Sequence, residues 1–197
     1  MKKSKVTGVI LAGGKNSRMG TDKGLLLVDG KRIVERAIEA MRAEVDDIII
    51  ISNGSNYDNL GYKVYRDIIE NCGPMGGILT ALSCSSTDKN FVVSCDMPFL
   101  SKELVGFIIE NSDDCEIAIP KHGEKLEPLC AVYDKSCRKG FEELLQRKEL
   151  KLLDALLHFR VKQIPVPENF SDGNCFHNIN TLTEYETLKL KKNEHTN

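Results

Sequence analysis

Three nearly continuous apolar runs, each ending abruptly in a polar loop, constrain the fold of this chain more than any other feature. Val6 to Ala12 reads V-T-G-V-I-L-A and meets Gly13-Gly14; Asp47 to Ser52 carries four consecutive isoleucines and meets Asn53-Gly54; Phe91 to Cys95 meets Asp96-Met97-Pro98. Runs of this length and composition suit strands buried on both faces, the condition inside a parallel sheet. Between the first two, Ile33, Val34, Ala37, Ile38 and Met41 recur at helical spacing, and behind the third Leu104, Val105, Ile108 and Ile109 mark one helix face. Cys115 to Ile119 and Leu129 to Tyr133 are further strand candidates, Phe141 to Leu157 reads as mostly helical, Val161 to Val166 as a weaker strand, and Glu184 to Lys191 as a closing helix. This alternation predicts an α/β fold, a Rossmann-like three-layer α/β/α arrangement with a mainly parallel, mixed sheet. Its 197 residues, 41% of them apolar, suit a single domain over 1–197. The stretch from Pro165 to Asn174 reads as a surface loop.

Charge and cysteine usage narrow the partners. Twenty-seven Lys plus Arg against twenty-nine Asp plus Glu leave a formal charge of −2, which supplies no global field for nucleic acid or an anionic membrane. Any positive site must be local. The seven cysteines form no C-x-x-C pair and lie near no histidine at zinc-finger spacing, so they read as small core residues or free thiols in a reducing compartment. The opening MKKSK-VTGVILA resembles a secretory signal, but its apolar run is short and meets a charged Gly-rich loop. No segment approaches the roughly 18 apolar residues that span a bilayer. A cytoplasmic protein is expected. His122, His158, His177 and His195 are scattered and suggest neither a triad nor a metal cluster.

In an open α/β sheet, ligands bind outside the carboxyl ends of the strands. Four loops qualify: the one after the first strand, S-N-G-S-N after the second, the region from Arg66 to Gly77, and C-D-M-P-F after the strand ending at Cys95. In the first, Gly13 and Gly14 allow backbone N–H groups to approach a ligand closely, and Arg18 and Lys23 bring a planar cation and a mobile one to the same place. That combination suits a polyphosphate. The loop matches neither G-x-x-x-x-G-K-[ST] nor G-x-G-x-x-G, which argues against a P-loop NTPase and a dinucleotide-binding dehydrogenase. Asp96 ends a buried strand, so its carboxylate is expected at the same crevice as a ligand for Mg²⁺, an ion that often uses one or two carboxylates together with substrate phosphates. An Asx-type turn before Pro98 is the plainer alternative for Asp96, as a turn is for Asn53 and a solvated loop charge for Asp67.

Leu11 to Leu26, L-A-G-G-K-N-S-R-M-G-T-D-K-G-L-L, resembles the signature of the molybdenum cofactor guanylyltransferases, members of the nucleotide-diphospho-sugar-transferase-like nucleotidyltransferase superfamily. Related cytidylyltransferases usually carry A-A-G-x-G-x-R-M or L-A-A-G there, so the second glycine and the Asp22-Lys23 pair favour the guanylyl branch. The likeness continues through G-P-M-G-G-I-L-T-A-L at 73–82, S-C-D-M-P-F-L at 94–100, E-P-L-C-A-V-Y at 127–133 and F-H-N-I-N-T at 176–181, almost the whole chain.

The resemblance implies transfer of GMP from GTP to molybdenum-bearing molybdopterin, with release of pyrophosphate. It implies GTP contacts from Leu11, Ala12, Gly13, Gly14, Lys23, Asn53, Asp67 and Asp96. Arg18, Lys23 and Asp96 would serve the chemistry, and Asp96 would hold Mg²⁺. On the acceptor side it implies Asn178 and Asn180, whose N-I-N spacing would put both amides on one face of an extended segment; Glu127 lies in a similar acceptor-side loop. Lys148 or Lys151 stands where members often carry arginine, keeping the charge without the bidentate fork. Passing contact with molybdenum-inserting proteins or apo-molybdoenzymes would accompany such a role. A nucleotidyltransferase using CTP or a sugar phosphate stays open, as does a non-catalytic GTP sensor or cofactor carrier.

Overall fold

The computed structural model describes residues 4–13, 22–170 and 175–193. Gly14 and Arg18, both expected at the nucleotide, lie outside the described residues, as does His195.

The continuous apolar runs form the centre of an eight-stranded sheet. In chain order the elements are β1 (Val6–Leu11), β2 (Leu27–Val28), β3 (Lys31–Arg32), α1 (Ile33–Met41), β4 (Asp47–Ile51), β5 (Lys63–Tyr65), α2 (Gly73–Cys84), β6 (Lys89–Ser94), α3 (Lys102–Glu110), β7 (Ile117–His122), β8 (Lys125–Leu126), β9 (Cys130–Asp134), α4 (Arg138–Gln146), α5 (Leu152–Ala155), β10 (Val161–Pro165) and α6 (Leu182–Asn193). The main path runs β10-β7-β9-β6-β1-β4-β5, with β8 on β7 and a separate β2-β3 hairpin. β1 pairs in parallel with β4 and β6, β4 with β5, and β10 with β7. Only β9 on this path runs the other way, antiparallel to both β6 and β7. The reason is local: the chain reverses through Gly123, whose φ of +58° no β-carbon would tolerate well, and returns through β8 into β9.

Side chains leave alternate faces of each strand, so every central run feeds two cores. Ile48, Ile50, Phe91 and Val93 join α1 and α3 on one face; Ile49, Ile51, Val92 and Tyr133 join α2, α4 and α5 on the other. This is why the isoleucine run shows no alternation in sequence. The second core centres on Phe141, fully buried, its ring 5.0 Å from Phe159 and 6.0 Å from Tyr133. Phe141→Ala is expected to cost about 3–5 kcal/mol, because a ring-sized cavity cannot close between the two aromatic walls of Phe159 and Tyr133; the shift of the urea midpoint at unchanged slope measures it.

Several sequence expectations need adjustment. The strand placed at Cys115 to Ile119 starts two residues later and continues to His122. The stretch from Phe141 to Leu157 is mostly helical, as expected, but in separate pieces: Lys148, at φ +62°, turns the chain left-handed after α4, and α5 begins at Leu152. Asn178 and Asn180 are not in a strand; the backbone there is tied to the sheet edge by one bond, from the Ile179 N–H to the Asp96 carbonyl at 3.0 Å. Cys95, Cys130 and Cys137 are buried core residues, and all seven cysteines are free thiols. Among the described residues, no helix is long and apolar enough to cross a membrane.

Candidate active site

A cleft of about 720 Å³ opens at the carboxyl ends of β1, β4 and β6. Leu11, Ala12 and Gly13 form its floor at the end of β1, where the Ala12 N–H donates to the Ile51 carbonyl and the Cys95 N–H to the Leu11 carbonyl. These bonds hold the three strand ends level. Gly77 of α2 forms part of one wall; a β-carbon there would stand 3.0 Å from the Leu11 side chain, so glycine lets this helix close against the strand end.

Asn53 and Asp67 also line the cleft, fourteen residues apart but joined by two hydrogen bonds. The Asn53 amide donates to Asp67 Oδ2 at 3.0 Å, and the Asp67 backbone N–H donates to Asn53 Oδ1 at 2.9 Å. Asp67 Oδ1 is buried with no partner among the described residues. Burial raises this carboxyl above its ordinary value, opposed by the Asn53 hydrogen bond and aided by the charge of Glu70. The folded protein therefore binds this proton more tightly than the unfolded chain does. Stability falls as pH rises from the ordinary carboxylate value through the raised one, and the deficit persists at neutral pH. Asp67→Asn is expected to flatten that part of the profile and to raise Tm at neutral pH, as thermal melts in buffers from acid to neutral would show.

Beside the cleft lies a second group. Asp96 follows β6 with its side chain 15% exposed; Lys23, 20% exposed, approaches Asp96 Oδ2 to 3.4 Å and donates to Asn180 Oδ1 at 3.2 Å. Asp96 Oδ1 is buried and has no hydrogen-bond partner among the described residues. Lys23 opens a single 3-10 turn, Lys23–Leu25; Asp22 just before it and Ser94 two residues before Asp96 both line the cleft. Asn180 is placed beside a capping box at α6, in which the Thr181 N–H donates to Glu184 Oε2 at 3.2 Å and the Glu184 N–H to Thr181 Oγ1 at 3.1 Å; the Asn180 N–H donates to the same Glu184 Oε2 at 2.6 Å. Ile179 anchors the segment in a small core with Leu26, Val28, Ile33 and Tyr185. Its neighbours differ: Asn180 is exposed and reaches Lys23, while Asn178 Oδ1 is buried without a partner among the described residues.

Other candidates lie apart from this constellation. Lys148 and Lys151 are not among the cleft residues, and Lys151 stands 3.8 Å from Asp154. Glu127 is buried and stands 2.7 Å from the Lys125 ammonium. His122 stacks on Phe176 at 5.8 Å, and His158 lies 3.7 Å from Glu149. Tyr57, which sequence patterning did not single out, is fully buried and donates its hydroxyl hydrogen to the Asp22 carboxylate. Its only sequence signal is an aromatic residue inside a polar turn, N-Y-D.

A mainly parallel α/β sheet with a cleft along its carboxyl edge and a lysine–aspartate pair beside it suits nucleotidyl transfer, and the family match makes the chain a nucleotidyltransferase. The chain belongs to the family with a MobA-like NTP transferase domain, whose model matches residues 8–161. A Clostridium perfringens protein named "Probable molybdenum cofactor guanylyltransferase" is 40% identical, over 95% of this chain and 98% of its own. One of the same name from Carboxydothermus hydrogenoformans is 34% identical over 93% and 94%. Among solved structures, molybdopterin-guanine dinucleotide biosynthesis protein A from Archaeoglobus fulgidus superposes with a TM-score of 0.79 at 23% identity, covering 95% of this chain and 99% of its own, a likeness of fold.

Proposed function

We propose that this protein transfers GMP from GTP to the terminal phosphate of molybdenum-bearing molybdopterin, forming the guanine dinucleotide cofactor and releasing pyrophosphate. The observation that carries the reading is the meeting, on one sheet edge, of the cleft floored by Leu11, Ala12 and Gly13 with the Lys23–Asp96–Asn180 cluster. The attacking group is already an anionic phosphate, so the protein must supply proximity and charge neutralisation in place of a general base. The cleft holds the nucleoside, with the Asn53–Asp67 pair on its wall, and Lys23 neutralises phosphate charge at the rim. Arg18, five residues earlier in the sequence, would add a second cation. Asn180, and Asn178 beside it, face the acceptor side.

Mg²⁺ fits the residues present. Asp96 Oδ1 is buried and lacks a partner among the described residues, a hard oxygen donor of the kind used by an ion that takes most of its remaining ligands from phosphates and water. When bound, the ion would supply charge neutralisation at the α-phosphate. The names of the relatives support GTP as donor and molybdopterin as acceptor. The same reading places the protein in the cytoplasm, with small-molecule substrates and hand-over of product to molybdoenzymes.

Incubating the protein with molybdopterin, Mg²⁺ and either GTP or CTP, then identifying the nucleotide product, tests reaction, donor and acceptor together. Guanine dinucleotide and pyrophosphate from GTP are expected. A cytosine product would reassign the donor, and nucleotide binding without pyrophosphate release would make the protein a sensor or carrier. GTP is also expected to raise Tm more than CTP at equal concentration.

A further inference from the structure

Lys23 owes its place to a turn of three residues, and three residues cannot hold themselves in water. Its restraints come from elsewhere. Asp22 Oδ1 accepts from the Gly24 N–H at 3.2 Å, closing the turn from its N-terminal side. The same carboxylate accepts from the Tyr57 hydroxyl, and its other oxygen accepts from the Asn56 amide at 3.4 Å. Both donors lie in the loop that follows β4, the loop that also carries Asn53. The fit beneath the turn is close: a β-carbon on Gly24 would stand 2.5 Å from Tyr57 Oη and 3.2 Å from Cys95 Cβ. Gly24 thus rests directly on Tyr57 and on the residue preceding Asp96. Burial, with smaller contributions from Cys95 and Asp22, pushes the Tyr57 phenol well above its ordinary range, so it stays a donor.

We propose that Tyr57 and Asp22 are positioning residues, a buried clamp that seats the Lys23 turn against Cys95-Asp96 and ties the phosphate-neutralising lysine to the nucleotide-side loop after β4. The inference rests on the nucleotidyltransferase reading of the site. Tyr57 is not among the residues lining the cleft and acts only through the Lys23 turn, which separates it from ordinary core packing. Losing the Tyr57 hydroxyl frees the capping carboxylate to rotate, and the ammonium then spends less time beside Asp96. Effects of two residues acting through one contact are not additive, whereas those of independent residues are.

The test is a double-mutant cycle on the full chain, with GTP affinity in Mg²⁺ measured by titration. Tyr57→Phe keeps the ring and removes the hydroxyl; it is expected to weaken GTP binding about tenfold, as loss of a hydrogen bond to a charged group would. Combined with Lys23→Ala, the same change is expected to shift affinity by less than about twofold. Asp22→Ala, at the cleft wall, is expected to show the same dependence on Lys23 and serves where Tyr57→Phe does not fold. An equal loss in both backgrounds, or no loss from either variant beside an intact Lys23, overturns the clamp. If the unaltered protein binds neither GTP nor CTP, the nucleotidyltransferase reading itself fails, a result distinct from either.

Discussion

Asp96→Ala is expected to abolish Mg²⁺-dependent nucleotidyl transfer, a loss of roughly 10³-fold or more, while leaving the fold intact. The carboxylate stands at the end of β6 with one oxygen 3.4 Å from Lys23 and the other buried without a partner among the described residues. A charge so placed contributes little to folding, because its ion pair is offset by the cost of taking it out of water. Its neighbours do not depend on it: Lys23 keeps its bond to Asn180, and the bonds from Cys95 to Leu11 and from Ile179 to residue 96 are made by backbone atoms that alanine retains. Pyrophosphate release against Mg²⁺ concentration, together with Tm, separates the two outcomes. An Asp96→Ala protein that stayed active with an unchanged Mg²⁺ dependence would remove this residue from the metal site. Asp96→Asn should be nearly as inactive, since the amide keeps the shape and loses the charge.

Lys23→Ala should lower the rate by about 10²–10³-fold, the range for removing one preorganised group that stabilises developing charge. Lys23 is one-fifth exposed and held between Asp96 and Asn180, so it pays little ordering cost when phosphate arrives. If its ammonium strengthens its hold only in the transition state, kcat and kcat/KM fall together; if it binds ground state and transition state alike, KM rises and kcat is spared. In the proposed reaction the lysine meets the phosphates of bound GTP as well as the charge that develops on transfer, so both effects are expected: KM rises and kcat falls. Lys23→Arg is expected to restore only part of the rate, since a planar guanidinium fork does not reproduce the single ammonium held between Asp96 and Asn180. Steady-state kinetics with GTP varied at saturating acceptor distinguishes these outcomes, and an unchanged rate in Lys23→Ala would place the lysine in structure alone.

Sequence patterning was most informative where burial was most uniform. The runs in β1, β4 and β6 announced themselves because a central parallel strand is covered on both faces. α2 escaped detection for a related reason. Gly73, Gly76, Gly77 and Pro74 are poor helix formers, and Met75 to Leu82 is buried all round, so neither propensity nor an amphipathic stripe marked the helix. Packing against β1 and β4 supplies what propensity does not. β5 has only three residues at the edge of the sheet, and the break at Lys148 depends on one left-handed residue, a conformation that lysine does not advertise. At the cleft, Asp96 and Lys23 were visible as loop residues after buried strands. Tyr57 was not, because its neighbours in sequence are turn formers and its burial comes from residues remote in the chain.

The amino-acid order alone settled the alternation of strand and helix and the family to which the chain belongs, and it pointed to the edge of the sheet where a ligand would sit. These follow from local composition, since apolar runs and the loops after them are contiguous in sequence. The partnership of Lys23 with Asp96 and Asn180, the hydrogen-bonded Asn53–Asp67 pair and the Tyr57–Asp22 contact were left to the folded chain. Each joins segments 14 to 157 residues apart. Distances of a few ångströms across such separations are set by strand order and by the packing of helices on both faces, which no local pattern encodes.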